Sequence, residues 1–175
     1  MKIRPLHLRQ RDATTCGPTV AVVAGAMVDP AYRLSLASHD AVVWFAAEQG
    51  RVHASVNRVW PRALGTTPVG MVRAVTAHSL GRGVRYRWRP CWGRRDRLAD
   101  VVAAVGSGWP VPMLVGRFIP RHWVLIVDVA GGVLQCYEPS SGDVRSVGIE
   151  AVRSARLSGV GYPRAFAFVL PRRSR

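Results

Sequence analysis

A glutamine and a cysteine six residues apart have the types and spacing for nucleophilic chemistry. Gln10 and Cys16 lie in the segment Gln10-Arg11-Asp12-Ala13-Thr14-Thr15-Cys16-Gly17-Pro18, directly before an apolar stretch with a helical pattern. The first turn of a helix offers unpaired backbone N–H groups and the positive end of the helix dipole, and both favour a thiolate over a thiol. The glutamine amide is a donor that can stabilise a developing oxyanion. The pair therefore predicts that Cys16 is a nucleophile.

A thiol nucleophile needs a base, and one of the five histidines has a suitable position. A free cysteine has a pKa of about 8.5, so little thiolate forms at neutral pH without a base within hydrogen-bonding distance. His122 lies at the start of a predicted strand, in Pro120-Arg121-His122-Trp123-Val124-Leu125-Ile126-Val127. We therefore predict that His122 is the base. The other histidines are predicted to be surface or packing residues: His7, His39, His53 and His78.

The base needs an acceptor that orients its ring, and a carboxylate ends the next predicted strand. Glu138 lies sixteen residues beyond His122, in Cys136-Tyr137-Glu138-Pro139-Ser140-Ser141-Gly142. A hairpin that turns at Gly131-Gly132 brings Glu138 back beside His122. Asp143 is the alternative orienting residue.

A buried helix is predicted to carry the cysteine. The segment from Cys16 to Val28 is apolar nearly all round, which is typical of a central helix. Thr14 or Thr15 can cap it, Pro18 lies in its first turn, and Asp29-Pro30 ends it. Three further helices are predicted: from Asp40 to Glu48 with an end near Gly50, from Thr67-Pro68 onward, and from Asp96 to Val105 with an end at Gly106-Ser107-Gly108.

Strands are predicted mainly in the second half of the chain. Residues 84–88 alternate, and short apolar or alternating runs follow at 111–115, 123–129, 133–137, 144–147 and 165–170. Helices followed by strands indicate an α+β fold with an antiparallel sheet. This order places a cysteine on a helix opposite a histidine on a sheet, across a cleft.

Length and composition predict a globular domain. The 175 residues are 49% hydrophobic and 20% charged, which fits one domain over residues 1–171 with a basic tail at 172–175. No run of about 18 apolar residues predicts a membrane span. The first residues lack the apolar block of a signal peptide, so a cytoplasmic protein is expected.

Three cysteines at wide spacing do not form a disulfide or zinc pattern. Cys16, Cys91 and Cys136 are odd in number, and a zinc site requires paired ligands a few residues apart. A reducing compartment, which keeps a thiol available, fits this usage. We predict structural roles for Cys91 and Cys136 and expect no metal or organic cofactor.

The charge allows two interpretations. The net charge is +15, and Lys2 is the only lysine, so 24 of the 25 basic residues are arginine. An arginine-rich surface can bind nucleic acid or an anionic membrane. Arginine together with abundant alanine, glycine and valine is also what a GC-rich genome encodes, and the basic residues are spread along the chain.

Four motifs in order resemble a known family. Gln-x5-Cys-Gly-Pro, Gly-Thr-x-Pro, His-Trp-Val and Tyr-acid-Pro-x-x-Gly span Gln10 to Gly142. Together they resemble the bacteriocin-processing, double-glycine leader peptidases of the papain clan and their stand-alone relatives. The resemblance implies a papain-like fold, Cys16 as nucleophile, His122 as base and later acid, and an oxyanion hole made by the Gln10 side chain and the Cys16 backbone N–H.

Two features depart from that family. The chain has Glu138 where the family usually has aspartate, and a longer side chain requires a slightly more distant backbone. No transporter segment is present, although the leader peptidases are commonly fused to a membrane exporter, so the leader-peptide substrate is not carried over.

The sequence thus predicts a cysteine peptidase that acts on a peptide or protein substrate. Acyl transfer or deamidation by the same triad is an alternative, since an acyl-enzyme can pass to an amine or form from a glutamine side chain. The alternative from another class is an arginine-rich nucleic-acid-binding module with a vestigial site.

Overall fold

The computed structural model describes residues 8–56, 65–91 and 97–173. The α-helices are α1 (Cys16–Val28), α2 (Pro30–Leu34), α3 (Ala41–Val56), α4 (Pro68–Ser79), α5 (Leu98–Gly106) and α6 (Ile149–Arg153). The strands are β1 (Val84–Pro90), β2 (Val111–Gly116), β3 (Pro120–Ala130), β4 (Val133–Glu138), β5 (Asp143–Gly148) and β6 (Arg164–Arg173). The predicted α+β class, with helices on a largely C-terminal antiparallel sheet, is confirmed.

The strands form one antiparallel sheet of six strands. Their order is β1-β6-β2-β3-β4-β5, so the last strand of the chain lies between β1 and β2. Arg172 of β6 pairs with Arg85 of β1, and β6 therefore includes the first two residues of the expected basic tail. The division between domain and tail stays a prediction.

Helices cover both faces of the sheet, and each face has its own core. One core joins α1, α3 and α4 to sheet residues such as Trp123 and Leu125. The other joins α5 and α6 to residues such as Val124 and Ile126. Since successive side chains of a strand point to opposite faces, the continuous apolar run in β3 supplies both cores.

Helix α1 is the centre of the first core and has the predicted bounds. Twelve of its thirteen residues are buried, in agreement with its lack of a polar face. Thr15 is the N-cap residue, but its side chain makes no capping hydrogen bond to the helix. Its hydroxyl instead bonds the backbone of Asp12, which ties the preceding loop to the helix. The prediction of a side-chain cap was wrong for this reason.

Helix α3 differs from its prediction. It begins at Ala41 and continues through Gly50 to Val56, because Val52, His53 and Val56 pack in the interior and outweigh the small cost of a helical glycine. Helices α2 and α6 were not predicted. Each has only five residues, too few to show a helical period. Helix α4 begins as predicted, with the Thr67 hydroxyl accepting from Gly70 N–H and proline at the first position. Asp96, the predicted start of α5, lies outside the described residues.

Two turns that bring the site together depend on glycine. Gly131 and Gly132 have φ values of 55° and 75°, and they join β3 to β4 as predicted. Gly116 ends β2, where an added Cβ would lie 2.0 Å from the carbonyl oxygen of Ile119. Only glycine allows the chain to turn so closely before β3.

No single helix in the described ranges is long and apolar enough to cross a membrane. Helix α1 and residues Pro30–Ala37 meet the length and composition limits only when taken together, and they are bent by 110°.

Candidate active site

Cys16 is the first residue of α1 and lies between two cavities. It is 5% exposed. A cavity of about 230 Å³ has Thr66, Leu114 and Trp123 in its lining, and a second of about 350 Å³ has Thr14 and Ile119. Since Cys16 lines both, a ligand in either cavity would lie against this residue.

The structure brings His122 and Glu138 together, as the sequence predicts. The Nε2 atom of His122 is 2.8 Å from Oε1 of Glu138, and both side chains are buried. The Cys16 thiol lies beside the imidazole, close enough to help raise the pKa of His122. Because Glu138 occupies Nε2, the nitrogen left for Cys16 is Nδ1. Cysteine, histidine and carboxylate thus form one connected series.

Backbone donors hold the carboxylate. The N–H of Ser140 donates to Oε1 of Glu138 at 3.0 Å, and the N–H of Ser141 donates to Oε2 at 2.9 Å. Asp143, the alternative orienting residue, is exposed. Among the described residues Glu138 is the only carboxylate that is hydrogen-bonded to His122, and both of its oxygens are occupied.

The pair is charged at neutral pH. Burial disfavours the Glu138 carboxylate, but hydrogen bonds from His122, Ser140 and Ser141 outweigh burial and lower the pKa of Glu138 to about 2. Burial likewise disfavours the imidazolium, but hydrogen bonds to Cys16 and Glu138 raise the pKa of His122 to about 9. An imidazolium next to a thiol is the arrangement in which a thiolate nucleophile forms.

A β-bulge decides which face of the sheet carries Glu138. Next to the turn, Ala130 of β3 pairs with Val133 of β4. Farther along, Leu125 pairs with Tyr137, so the register between the strands has shifted by one residue. The shift leaves Val127 as an extra residue in β3. Continuing the shifted register puts Glu138 opposite Val124, on the same face as His122. Without the extra residue Glu138 would lie opposite Leu125, on the other face.

The segment before Cys16 is tied to the strand end that carries Glu138. The N–H of Gln10 donates to the Pro139 carbonyl at 2.8 Å. The Gln10 side-chain Nε2 donates to the Asp12 carbonyl at 2.9 Å, and its Oε1 accepts from the Ser140 hydroxyl at 3.3 Å. An amide nitrogen has two hydrogens, so one donor of Gln10 remains for a ligand.

Two supporting residues were not predicted from the sequence. Gln49 of α3 is 1% exposed, and its amide accepts from Arg11 N–H and the Thr19 hydroxyl while donating to the Arg9 carbonyl, which fixes the loop before Cys16. A glutamine within a helical pattern is too common to be a signal. Tyr162 stacks on His122 with ring centroids 5.4 Å apart. It lies forty residues away in sequence, and no local pattern marks it.

Close packing around Thr66, which lines the smaller cavity together with Trp123, holds one wall of that cavity. Trp123 Nε1 donates to the Thr66 carbonyl at 2.8 Å. A Cβ on Gly17 would lie 2.5 Å from the Cβ and Oγ1 of Thr66. Glycine beside the cysteine therefore lets α1 approach the segment that begins α4.

The remaining histidines and cysteines have other surroundings. His78 stacks on Tyr32 with centroids 3.9 Å apart, His53 is buried in α3, and His39 is exposed beside Asp40. His7 lies outside the described residues. Burial raises the pKa of Cys136 to about 12, and Cys91 is half-buried. In the described part of the chain, no three histidine, cysteine or acidic side chains are grouped so that they could hold a metal ion.

Comparisons with known proteins agree on the fold. No protein-family model and no curated protein sequence matches the chain. A solved double glycine motif protease from an AMS/PCAT transporter, in complex with the leader peptide, matches with a TM-score of 0.51 at 14% identity, over 95% of this chain and 90% of that one. The peptidase domain of Streptococcus ComA, a bi-functional ABC transporter involved in a quorum sensing pathway, also matches with a TM-score of 0.51 at 14% identity. That match covers 95% of this chain and 97% of the ComA domain. The chain therefore has the fold of these peptidase domains, in line with the resemblance found in the sequence.

Proposed function

We propose that the chain is a cysteine peptidase in which Cys16 attacks a peptide carbonyl, His122 transfers protons, and Glu138 orients His122. The observation that carries the proposal is a thiol at the start of a buried helix, next to an imidazole that is hydrogen-bonded to a buried carboxylate. The shared fold with solved peptidase domains supports it.

The first half of the reaction uses the Cys16 thiolate and the His122 imidazolium. The Cys16 thiolate attacks the carbonyl carbon, and the oxygen becomes an oxyanion. The Gln10 amide and the Cys16 backbone N–H are the donors for that oxyanion. The tetrahedral intermediate then collapses, the carbon–nitrogen bond breaks, and the His122 imidazolium gives its proton to the leaving amine.

The second half regenerates the Cys16 thiolate and the His122 imidazolium. Neutral His122 takes a proton from water, the hydroxide attacks the thioester, and the acid product leaves as sulfur departs. The carboxylate of Glu138 stabilises the imidazolium in both halves without accepting its proton, since its pKa is about 2.

A peptide with two glycines before the scissile bond is the first substrate to test. One solved relative is described as a double glycine motif protease. In this chain Thr66, Trp123 and Pro120 are close to Cys16 in a cavity of only about 230 Å³, and residues without side chains fit such a space most easily.

The purified chain should release an amino-terminal fragment from a Gly-Gly peptide library, as followed by mass spectrometry. Cys16→Ala should reduce kcat/KM by about a thousandfold or more, because the nucleophile is lost. Equal cleavage by the intact chain and the variant would contradict the proposal. Product analysis with and without an added amine distinguishes hydrolysis from acyl transfer, the alternative for the same triad. The nucleic-acid alternative stays a prediction.

A further inference from the structure

Arg121 has a distinctive position next to the proposed nucleophile. It precedes His122 and lines both cavities beside Cys16. It is also the residue that a second bulge leaves without a partner, since Gly116 pairs with Pro120 and Val115 with His122. Bulges re-aim side chains next to active sites. Among the described residues that line either cavity, Arg121 is the only basic or acidic one apart from the Cys16 thiol.

The guanidinium of Arg121 has no acidic partner among the described residues. Several other arginines in those ranges do have one: Arg11 with Asp12, Arg51 with Glu48, Arg97 with Asp100 and Arg153 with Glu150. The carboxylate of Glu138, which contacts the neighbouring His122, is occupied by that imidazole and two backbone N–H groups. An exposed arginine in a cleft without an acid is suited to bind a carboxylate that a ligand brings, because its planar fork matches that group.

We propose that Arg121 makes the site selective for peptides that carry an aspartate or glutamate within about two residues of the scissile bond. An extended peptide advances about 3.4 Å per residue, so a side chain that borders both cavities reaches the near positions on either side of the reacting carbonyl. The inference rests on the proposed function and names its substrate class.

Paired peptides test the selectivity. Each pair contains Gly-Gly before the scissile bond and differs only by glutamate or glutamine at one position, which is moved along the peptide on both sides. At one position at least, the intact chain should show a kcat/KM about tenfold higher for glutamate. Arg121→Gln should bring this ratio to about one, and Arg121→Glu should reverse it. The ratio should also fall between about 0.1 M and about 1 M salt, where the screening length shrinks from about 10 Å to about 3 Å.

Arg117→Glu is the matched control. Arg117 is an exposed arginine of the β2–β3 connection, four residues before Arg121, but it lies over the Phe118 ring and does not line either cavity. The selectivity ratio of this variant should remain that of the intact chain. A ratio that is the same in the intact chain and in Arg121→Gln would overturn the inference, as would a change of equal size in Arg117→Glu.

A binding measurement separates this inference from the proposed function. In the Cys16→Ala background, the glutamate peptide should bind about tenfold more tightly than the glutamine peptide, and adding Arg121→Gln should remove the difference. Binding that depends on Arg121 without cleavage by the intact chain would reject the peptidase and support the carboxylate site. Cleavage by the intact chain, with no effect of Arg121→Gln on the cleavage ratio or on peptide binding, would support the peptidase and reject the carboxylate site.

Discussion

The imidazole of His122 is held between a thiol and a carboxylate that is itself fixed by two backbone N–H groups. The turn that follows Glu138 places the N–H groups of Ser140 and Ser141 on its two carboxylate oxygens. The carboxylate predicted from the sequence thus contacts His122 in the structure, and its orienting role stays a prediction. Its two backbone donors could not be predicted from residue types.

Glu138→Gln should shift the pH dependence of activity. Removing the carboxylate charge lowers the pKa of His122 from about 9 towards its usual value of about 6.5. The alkaline decline of kcat/KM should therefore begin at least about one pH unit lower, as measured in a pH–rate profile. Asp143→Asn, which changes an exposed carboxylate of the next strand, should leave the profile unchanged. A larger shift in Asp143→Asn than in Glu138→Gln would reject Glu138 as the orienting residue.

The same variant should lose stability in a pH-dependent way. The pKa of Glu138 is lowered on folding, so its contribution is complete above the unfolded value of about 4.5 and is lost as pH falls through about 2. Denaturant unfolding at pH 7 should show a loss of about 2 kcal/mol, which disappears towards pH 2. The raised pKa of His122 makes stability depend on pH in the opposite direction. Its contribution is complete below pH 6.5 and is lost as pH rises through about 9.

At the scale of elements, the close packing of α1 against the start of α4 should be as sensitive to substitution as the proposed active site. Gly17→Ala adds a Cβ 2.5 Å from Thr66, whose carbonyl is already bonded to Trp123. The helix must move, so the free energy of unfolding should fall by about 1–3 kcal/mol and kcat/KM should fall with it.

Gly106→Ala is the matched control in another helix. An added Cβ at Gly106 meets nothing within 4 Å, and its φ is not positive. Because alanine favours helix, this variant should be neutral or up to about 1 kcal/mol more stable. Equal losses in both variants would show that the contact between Gly17 and Thr66 is unimportant.

Local signals predicted the elements that carry the site, whereas long-range register could not be predicted. The apolar stretch from residue 16 to 28 and the threonine–proline start of α4 are local patterns, and the structure has both. The hairpin at Gly131-Gly132 was also predicted, but an unbulged hairpin would put Glu138 on the wrong face. The extra residue at Val127 has no sequence signal, because valine fits a regular strand equally well.

At the scale of the whole molecule, the fold depends on its final strand. β6 pairs with β1 on one side and β2 on the other, and Phe168, Val169 and Leu170 are buried in the two cores. A chain that ends at residue 163 should show no cooperative thermal unfolding by circular dichroism, since β1 has lost the one neighbouring strand that the described residues provide. Co-expression of residues 164–175 as a separate segment should restore the transition. A cooperative transition in the shortened chain alone would contradict this dependence.

The position of β6 also has a consequence during translation. The ribosome delivers Cys16 early, but the centre of the sheet stays open until the last strand has left the exit tunnel. The proposed active site would thus stay unassembled while the residues before β6 are synthesised, and it could not cut unfolded segments of its own chain at that stage.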